Sequence, residues 1–163
     1  MAEATLSLGA NVGPVRDTLD RAVKLLCDGE SVRLLARSSD YRSPPWGVSD
    51  QPPFVNLCLI VATALSPRAL LARTQEIEAA LGRNRASERH WGPRVIDIDI
   101  VAYDNLVIAE PDFALPHPFA LERAFVLVPL EEISPDRSIG GVSVREALAR
   151  LDRTRLERLP PRP

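Results

Sequence analysis

The sequence predicts an α+β fold: an antiparallel sheet built in the order β-α-β-β-α-β, with both helices on one face and further elements after it. Three observations carry this expectation. "SVRLLARSSDY" and "VIDIDIVAY" alternate apolar and polar residues, and "FVNLCLIVATAL" is a β-rich apolar run, all marks of strands. Two other stretches place apolar residues at helical spacing between start and stop signals. The segments follow one another without repeat or linker, in a chain of 163 residues, a length that suits one domain with a real core.

"ATLSLG" (4–9) is the first strand, closed by Gly9. Pro14 starts a helix whose apolar stripe is Val15, Leu19, Ala22, Val23 and Leu26, with Gly29 as the stop. "SVRLLARSSDY" is the second strand. Residues 42–53, "RSPPWGVSDQPP", form a loop, because four prolines and a glycine forbid regular structure. The third strand, 54–65, is the strongest in the chain. Ser66 and Pro67 then open a second helix that runs to Gly82. An arginine-rich loop leads into "VIDIDIVAY". This order is the ferredoxin-like arrangement. Beyond it, "DNLVIAEPDFALPHP" reads as a small hairpin or loop excursion, and "LERAFVLV" as an apolar helix interrupted at Pro129. A Ser143/Glu146 capping box opens a terminal helix, and the tail from about residue 154 is expected to be loose.

Composition narrows the function classes. With 45% hydrophobic and 26% charged residues the chain reads as an ordinary soluble globular protein. A formal net charge of -2 argues against a general nucleic-acid coat. "MAEATLSLGANVG" lacks the pattern of a signal peptide, and no apolar stretch is long enough to cross a bilayer. Cys27 and Cys58 have no partner pattern and are expected to stay reduced, which suits the cytoplasm. Of the 20 basic residues only Lys24 is a lysine, and no "GK" occurs, which excludes a P-loop. Any phosphate must therefore be handled by arginine.

Three constellations carry chemistry. Asp97 and Asp99 sit two apart in a strand, so they share a face roughly 7 Å apart, while Ile96, Ile98 and Ile100 point to the helices. Parallel carboxylates raise each other's pKa unless a cation lies between them, and magnesium, which takes one or two carboxylates plus phosphate oxygens and water, fits. Two such ions could be bridged by the pair. A solvent-facing strand with polar alternation would look the same. The preceding loop, "GRNRASERHWGPR", carries Arg83, Arg85, Arg89 and Arg94 against one acid, Glu88; arginine forks bind phosphate, although charge runs are more often solvated. Phe54 and Asn56 share a strand face and offer a stacking surface and an amide edge to a flat heterocycle, or an ordinary core Phe with a satisfied Asn. An RNA-binding module of the same fold is a competing reading, but the aromatic RNP pattern is missing. Another magnesium-dependent nucleotidyl or glycosyl transferase using DxD is a second.

Four segments together point further: "SDYRSPPWG", "DQPPFVN", "GRNRASERHWGPRVIDIDI" and "LPHPFALERAFVLVPL". From about Leu6 to Asp136 the chain resembles the 6-hydroxymethyl-7,8-dihydropterin pyrophosphokinase family of folate biosynthesis. The resemblance implies transfer of the pyrophosphoryl group of ATP to the pterin's hydroxymethyl oxygen, with release of AMP. It implies that Asp97 and Asp99 hold two Mg2+ ions and that Arg83, Arg85, Arg89 and Arg94 are the catalytic-loop arginines. Gln75, Glu78, Arg85, Arg94, Ile100, His117 and Arg123 match positions around ATP. Ser43, Pro44, Trp46, Phe54, Asn56 and Phe125 match the pterin pocket, in which the ring lies between two aromatics. Gly9 and Asn11 match the turn after the first strand.

The resemblance further implies small-molecule partners only, no nucleic acid and no membrane, in a monomeric cytoplasmic enzyme of one pyrophosphokinase domain, 1–163. The chain departs from the family pattern at three places. His90 is inserted between Arg89 and Trp91, which shifts the loop register by one residue; Phe54 stands where Tyr is common; and Pro118 follows His117 where some members have an aromatic residue. The arginine loop, with Trp91 as its main apolar anchor, is expected to be mobile alone and to close over bound substrates.

Overall fold

The structure, a computed structural model, describes residues 1–45 and 49–163. In chain order its elements are β1 (Ala2–Ala10), α1 (Val15–Leu26), β2 (Val32–Arg37), β3 (Tyr41–Ser43), β4 (Phe54–Thr63), α2 (Pro67–Ala80) and β5 (Asp97–Tyr103). A hairpin of β6 (Ile108–Glu110) and β7 (Phe113–Leu115) follows, then α3 (Ala124–Ile133). A short hairpin of β8 (Ser138–Ile139) and β9 (Val142–Ser143), α4 (Val144–Leu148) and β10 (Glu157–Arg158) complete the chain. The main sheet runs β10-β3-β4-β1-β5, with β2 also pairing β4, and every pairing in it is antiparallel.

Local chemistry explains the first half. Leu6, Leu8, Leu57, Leu59, Ile98 and Ile100 present one face of the sheet to Leu19, Val23 and Leu26 of α1 and to Leu70 and Ile77 of α2. Each such side chain contributes about 1.5–3 kcal/mol on burial. The Ser66 hydroxyl accepts from Ala69 N–H at 3.1 Å and caps α2, with Pro67 opening the helix. Gly82 follows that helix at φ 102°, a left-handed turn that sends the chain into the arginine loop.

Three expectations are corrected. The second strand is two: β2 and β3 both pair β4, and the break falls at Ser38, whose hydroxyl accepts from Cys58 N–H, and at Asp40, which takes Arg16 and Arg37. The helices α1 and α2 share one face, and the C-terminal helices cover the other. Val126, Leu127 and Leu130 of α3, with Val144 and Leu148 of α4, pack over Cys58, Ile60 and Val101 on the side away from α1 and α2. Pro129 does not interrupt its helix. It leaves the Phe125 carbonyl without a helical donor, but burial of Val126 to Leu130 outweighs that loss. The tail, finally, is tied down. Strand β10 pairs β3, Leu159 enters the main core and donates N–H to Asp40 O at 2.9 Å, and Arg16 donates to Pro160 O at 2.7 Å. Among the described residues no helix is long and apolar enough to cross a membrane.

Candidate active site

Where α3 and α4 stop covering the second sheet face, a cleft opens over β1, β4 and β5. Asp97 and Asp99 project into it from β5, opposite Gly9 and Ser7 of β1, while Ile98 and Ile100 are buried beneath. Burial and the neighbouring Asp97 raise the Asp99 carboxyl well above its ordinary range, and Arg123 opposes them. Arg123 Nη1 stands 4.0 Å and His117 Nε2 3.8 Å from Asp99 Oδ2. Burial, aided by Arg123, pushes His117 down to about 4, so the imidazole is neutral near pH 7 and gives Asp99 no counter-charge. The register of β1 and β5 shifts at Thr5/Leu6, which makes Val101 an extra residue. Its carbonyl accepts from His117 N–H at 2.9 Å and so anchors His117 beside the carboxylates.

The donor set speaks to the cation. Among the described residues no three His, Cys, Asp or Glu side chains converge as a metal cage. Two oxygen donors on one strand suit a hard ion that completes its shell with water and phosphate, as magnesium does, and not tetrahedral zinc.

The arginine loop is organised by acids. Arg83, only 5% exposed at its side chain, bonds Glu78 at 2.6 Å, Asp97 at 2.9 Å and Glu88 at 2.8 and 3.0 Å. Burial pulls its guanidinium down, but Glu88, Asp97 and Glu78 outweigh this and raise it. Glu78 is shifted the other way for an acid that is paired: desolvation raises it more than Ile98 N–H and Arg83 lower it. Arg83 thus gains more from three carboxylates than Glu78 gains from Arg83. Arg85 bonds the other Glu78 oxygen at 2.7 Å, and exposed Arg89 lies 3.6 Å from Asp50. Arg94 is anchored by its backbone, giving N–H to Asn11 Oδ1 at 2.8 Å and taking Asn11 N–H at 3.0 Å. The inserted His90 is absorbed in a tight turn closed by Gly92 N–H to Arg89 O at 3.0 Å. That turn puts Trp91 at φ 59°, a strain of about 1–2 kcal/mol. Trp91 packs edge-on to Phe119, and the Arg123 guanidinium lies 5.0 Å from its ring.

At the other end of the cleft, Asn56 Nδ2 donates to Ser43 Oγ at 2.7 Å. This fixes the amide and leaves Oδ1 toward Gly9, where a Cβ would come within 2.5 Å of it. Phe54, Pro44 and Phe125 line the same cleft.

The fold therefore brings together Asp97, Asp99, Arg94, Arg123, Ser43, Pro44, Phe54, Asn56 and Phe125. It separates others. Gln75 is exposed on α2 while Glu78 is buried with both oxygens engaged, and the Ile100 side chain belongs to the core under the sheet. Trp46 lies outside the described residues. Ser7, Gly9 and Trp91 line the cleft without having been singled out as ligand contacts. Alternation in "LSLG" would have put Ser7 and Gly9 on the carboxylate face.

Residues 5–135 match the family model of 7,8-dihydro-6-hydroxymethylpterin-pyrophosphokinase. A 2-amino-4-hydroxy-6-hydroxymethyldihydropteridine pyrophosphokinase of Methylorubrum extorquens is 52% identical over 98% of this chain and 99% of its own length. The Bacillus subtilis protein of that name is 42% identical over 80% of this chain and 77% of its own. Among solved structures, the HPPK-DHPS of Plasmodium falciparum, as its A437G form with pteroate, shares the fold at TM-score 0.74 and 13% identity over 96% of this chain; this chain spans 46% of its length.

Proposed function

The chain belongs to the 7,8-dihydro-6-hydroxymethylpterin-pyrophosphokinase family, and from that premise we propose how its cleft performs the family's reaction. The enzyme transfers the pyrophosphoryl group of ATP to 6-hydroxymethyl-7,8-dihydropterin in folate biosynthesis. The hydroxymethyl oxygen forms a bond to the β-phosphorus, the bond from that phosphorus to the α-phosphate's bridging oxygen breaks, and AMP leaves. Catalysis of this kind depends on positioning and charge neutralisation. In this reading Asp97 and Asp99 hold two magnesium ions, which when bound neutralise the triphosphate. Arg83, Arg85, Arg89 and Arg94 face the phosphates, with His117 and Arg123 on the nucleotide side. Phe54 and Phe125 sandwich the pterin, and Asn56, held by Ser43, reads its polar edge. The single observation behind this assignment is that the carboxylate pair and the Phe54–Asn56–Phe125 wall share one cleft.

Trp91, which lines the cleft, moves with the arginine loop in this reading. The strand order β5-β1-β4-β2 supports a ferredoxin-like core. We also propose a single domain over 1–163, acting as a monomer in the cytoplasm; the free Cys27 and Cys58 suit a reducing compartment. A coupled assay for AMP release tests the activity. Release should require both the pterin and magnesium and stop on chelation; release without pterin would refute it.

Two predictions test the pterin wall. Phe125→Ala should weaken pterin binding by about tenfold or more, since stacking a base on an aromatic is worth about 1–3 kcal/mol. ATP binding should hardly change, and calorimetry that showed equal losses for both ligands would point to misfolding instead. Gly9→Ala puts a methyl where Asn56 Oδ1 lies, at 2.5 Å. Displacing that amide should cost about tenfold or more in pterin affinity with the fold retained. Unchanged affinity would take Asn56 out of pterin recognition.

A further inference from the structure

Glu88 is the one acid of the arginine loop, and it contacts two of the loop's arginines at once. Arg83 grips its carboxylate with two prongs, Nε to Oε2 at 2.8 Å and Nη2 to Oε1 at 3.0 Å, while Arg94 Nε lies 3.3 Å from Oε1. This is the forked geometry in which arginine also takes a phosphate. The Nη1 donors of both guanidinia are engaged elsewhere. Arg83 Nη1 serves Glu78 and Asp97, and Arg94 Nη1 serves the carbonyls of Arg89, Gly92 and Pro93 at 3.1, 2.8 and 3.1 Å.

Three acids share Arg83, but they are not equally replaceable. Glu78 is buried on α2 and also accepts from Ile98 N–H at 2.8 Å. Asp97 is fixed in the β5 ladder opposite Gly9. Glu88 alone stands on an irregular segment, just after a short 3-10 turn over Arg85–Ser87. Among the described residues its N–H bonds Arg85 O, at 3.4 Å. A rotation of its side chain frees the prongs of Arg83 and the Nε of Arg94 together.

We propose that Glu88 is an internal competitor of the nucleotide: its carboxylate and a triphosphate oxygen use the same donors on Arg83 and Arg94, and ATP binds by displacing it. The inference rests on the nucleotide-binding reading above and adds a residue that sets affinity. Competition has a chemical consequence. A polyphosphate with magnesium brings enough charge to win the guanidinia, whereas a monophosphate such as AMP brings less. Glu88 thereby favours capture of the substrate nucleotide and departure of the product. It also keeps the guanidinia hydrogen-bonded and correctly aimed, so that the phosphate enters a prearranged fork.

The test compares wild type with Glu88→Gln, which keeps the shape and removes the charge, and with Glu88→Ala, which removes the group. Titration calorimetry with magnesium and the methylene analogue of ATP that cannot transfer its β-phosphoryl group gives the affinity; AMP is titrated separately. Since a hydrogen bond to a charged group contributes about 1.5–3 kcal/mol, both variants should bind the analogue about tenfold more tightly or better. AMP should gain at least as much, and the pterin should bind unchanged. A purely structural Glu88 predicts the opposite, because Arg83 would lose part of its frame. Equal or weaker binding of the analogue by both variants, with melting curves that show them folded, overturns the proposal. A wild-type protein that binds no analogue at all would instead strike at the nucleotide-binding reading itself, so the two failures are told apart.

Discussion

Asp99→Ala and Asp97→Ala are each expected to lower turnover by a hundredfold to a thousandfold, because a bound cation contributes several kcal/mol of charge stabilisation and each 1.36 kcal/mol is a factor of ten. The two variants should differ in stability. Asp99 is half-buried beside Asp97, with its nearest cationic partner, Arg123, at 4.0 Å, so removing it relieves repulsion and desolvation. In chelator its melting temperature should equal or exceed that of wild type. Asp97 bonds Arg83 at 2.9 Å, and its loss removes one of the acids that frame the arginine loop, so no gain is expected there. Assays of AMP release and melts with and without chelator check both halves. Near-normal magnesium-dependent turnover in either variant would remove the pair from the reaction.

Arg83→Ala should be the most destabilising single change at the site, costing about 3 kcal/mol, the lower end for breaking a buried ion pair, because Glu78 keeps Arg85 and Ile98 N–H. Arg83 and Glu78 are 5% and 2% exposed at their side chains, and Arg83 is the tie between α2, the loop and β5. Out of a typical total of about 5–15 kcal/mol, such a loss leaves a marginal protein. Arg83→Lys restores the charge but not the fork, and should recover stability only in part. Adding Glu78→Gln to Arg83→Ala removes the buried charge that Arg83 helped to balance. It should restore much of the stability while turnover stays low. Urea unfolding gives the stabilities, and a loss under about 1 kcal/mol for Arg83→Ala would show that the cluster adds little to the fold.

The site was legible where its signal is local. The two-residue period of β5 puts Asp97 and Asp99 on one face and Ile98 and Ile100 on the other whatever surrounds the strand, and the structure has them so. Ser66, Pro67 and Gly82 mark the ends of α2 by capping and φ preferences that depend on immediate neighbours. Glu78 shows the limit of local signals. Spacing of i, i+3 with Gln75 says that the two lie on one side of a helix, but not that Glu78 turns under β5 to meet Ile98 N–H. The same limit hid Glu88, which looked like one acid among four arginines and is the group that two of them hold.

By itself the sequence determined the strands and helices of the first hundred residues apart from the break between β2 and β3, the shared face of the carboxylates, the reliance on arginine and the family. Only the tertiary structure decided that α3 and α4 cover the second face and leave the cleft at its end, and that Leu159 ties the tail into the core. It alone decided that Gly9 makes room for Asn56 and that Trp91 lines the cleft. Alternation, helical periodicity and capping are set by bonds within a few residues. These other features depend on contacts between segments remote in sequence, such as Leu159 N–H with Asp40 O or Asn11 with Arg94, whose partners are fixed only when the whole core has packed.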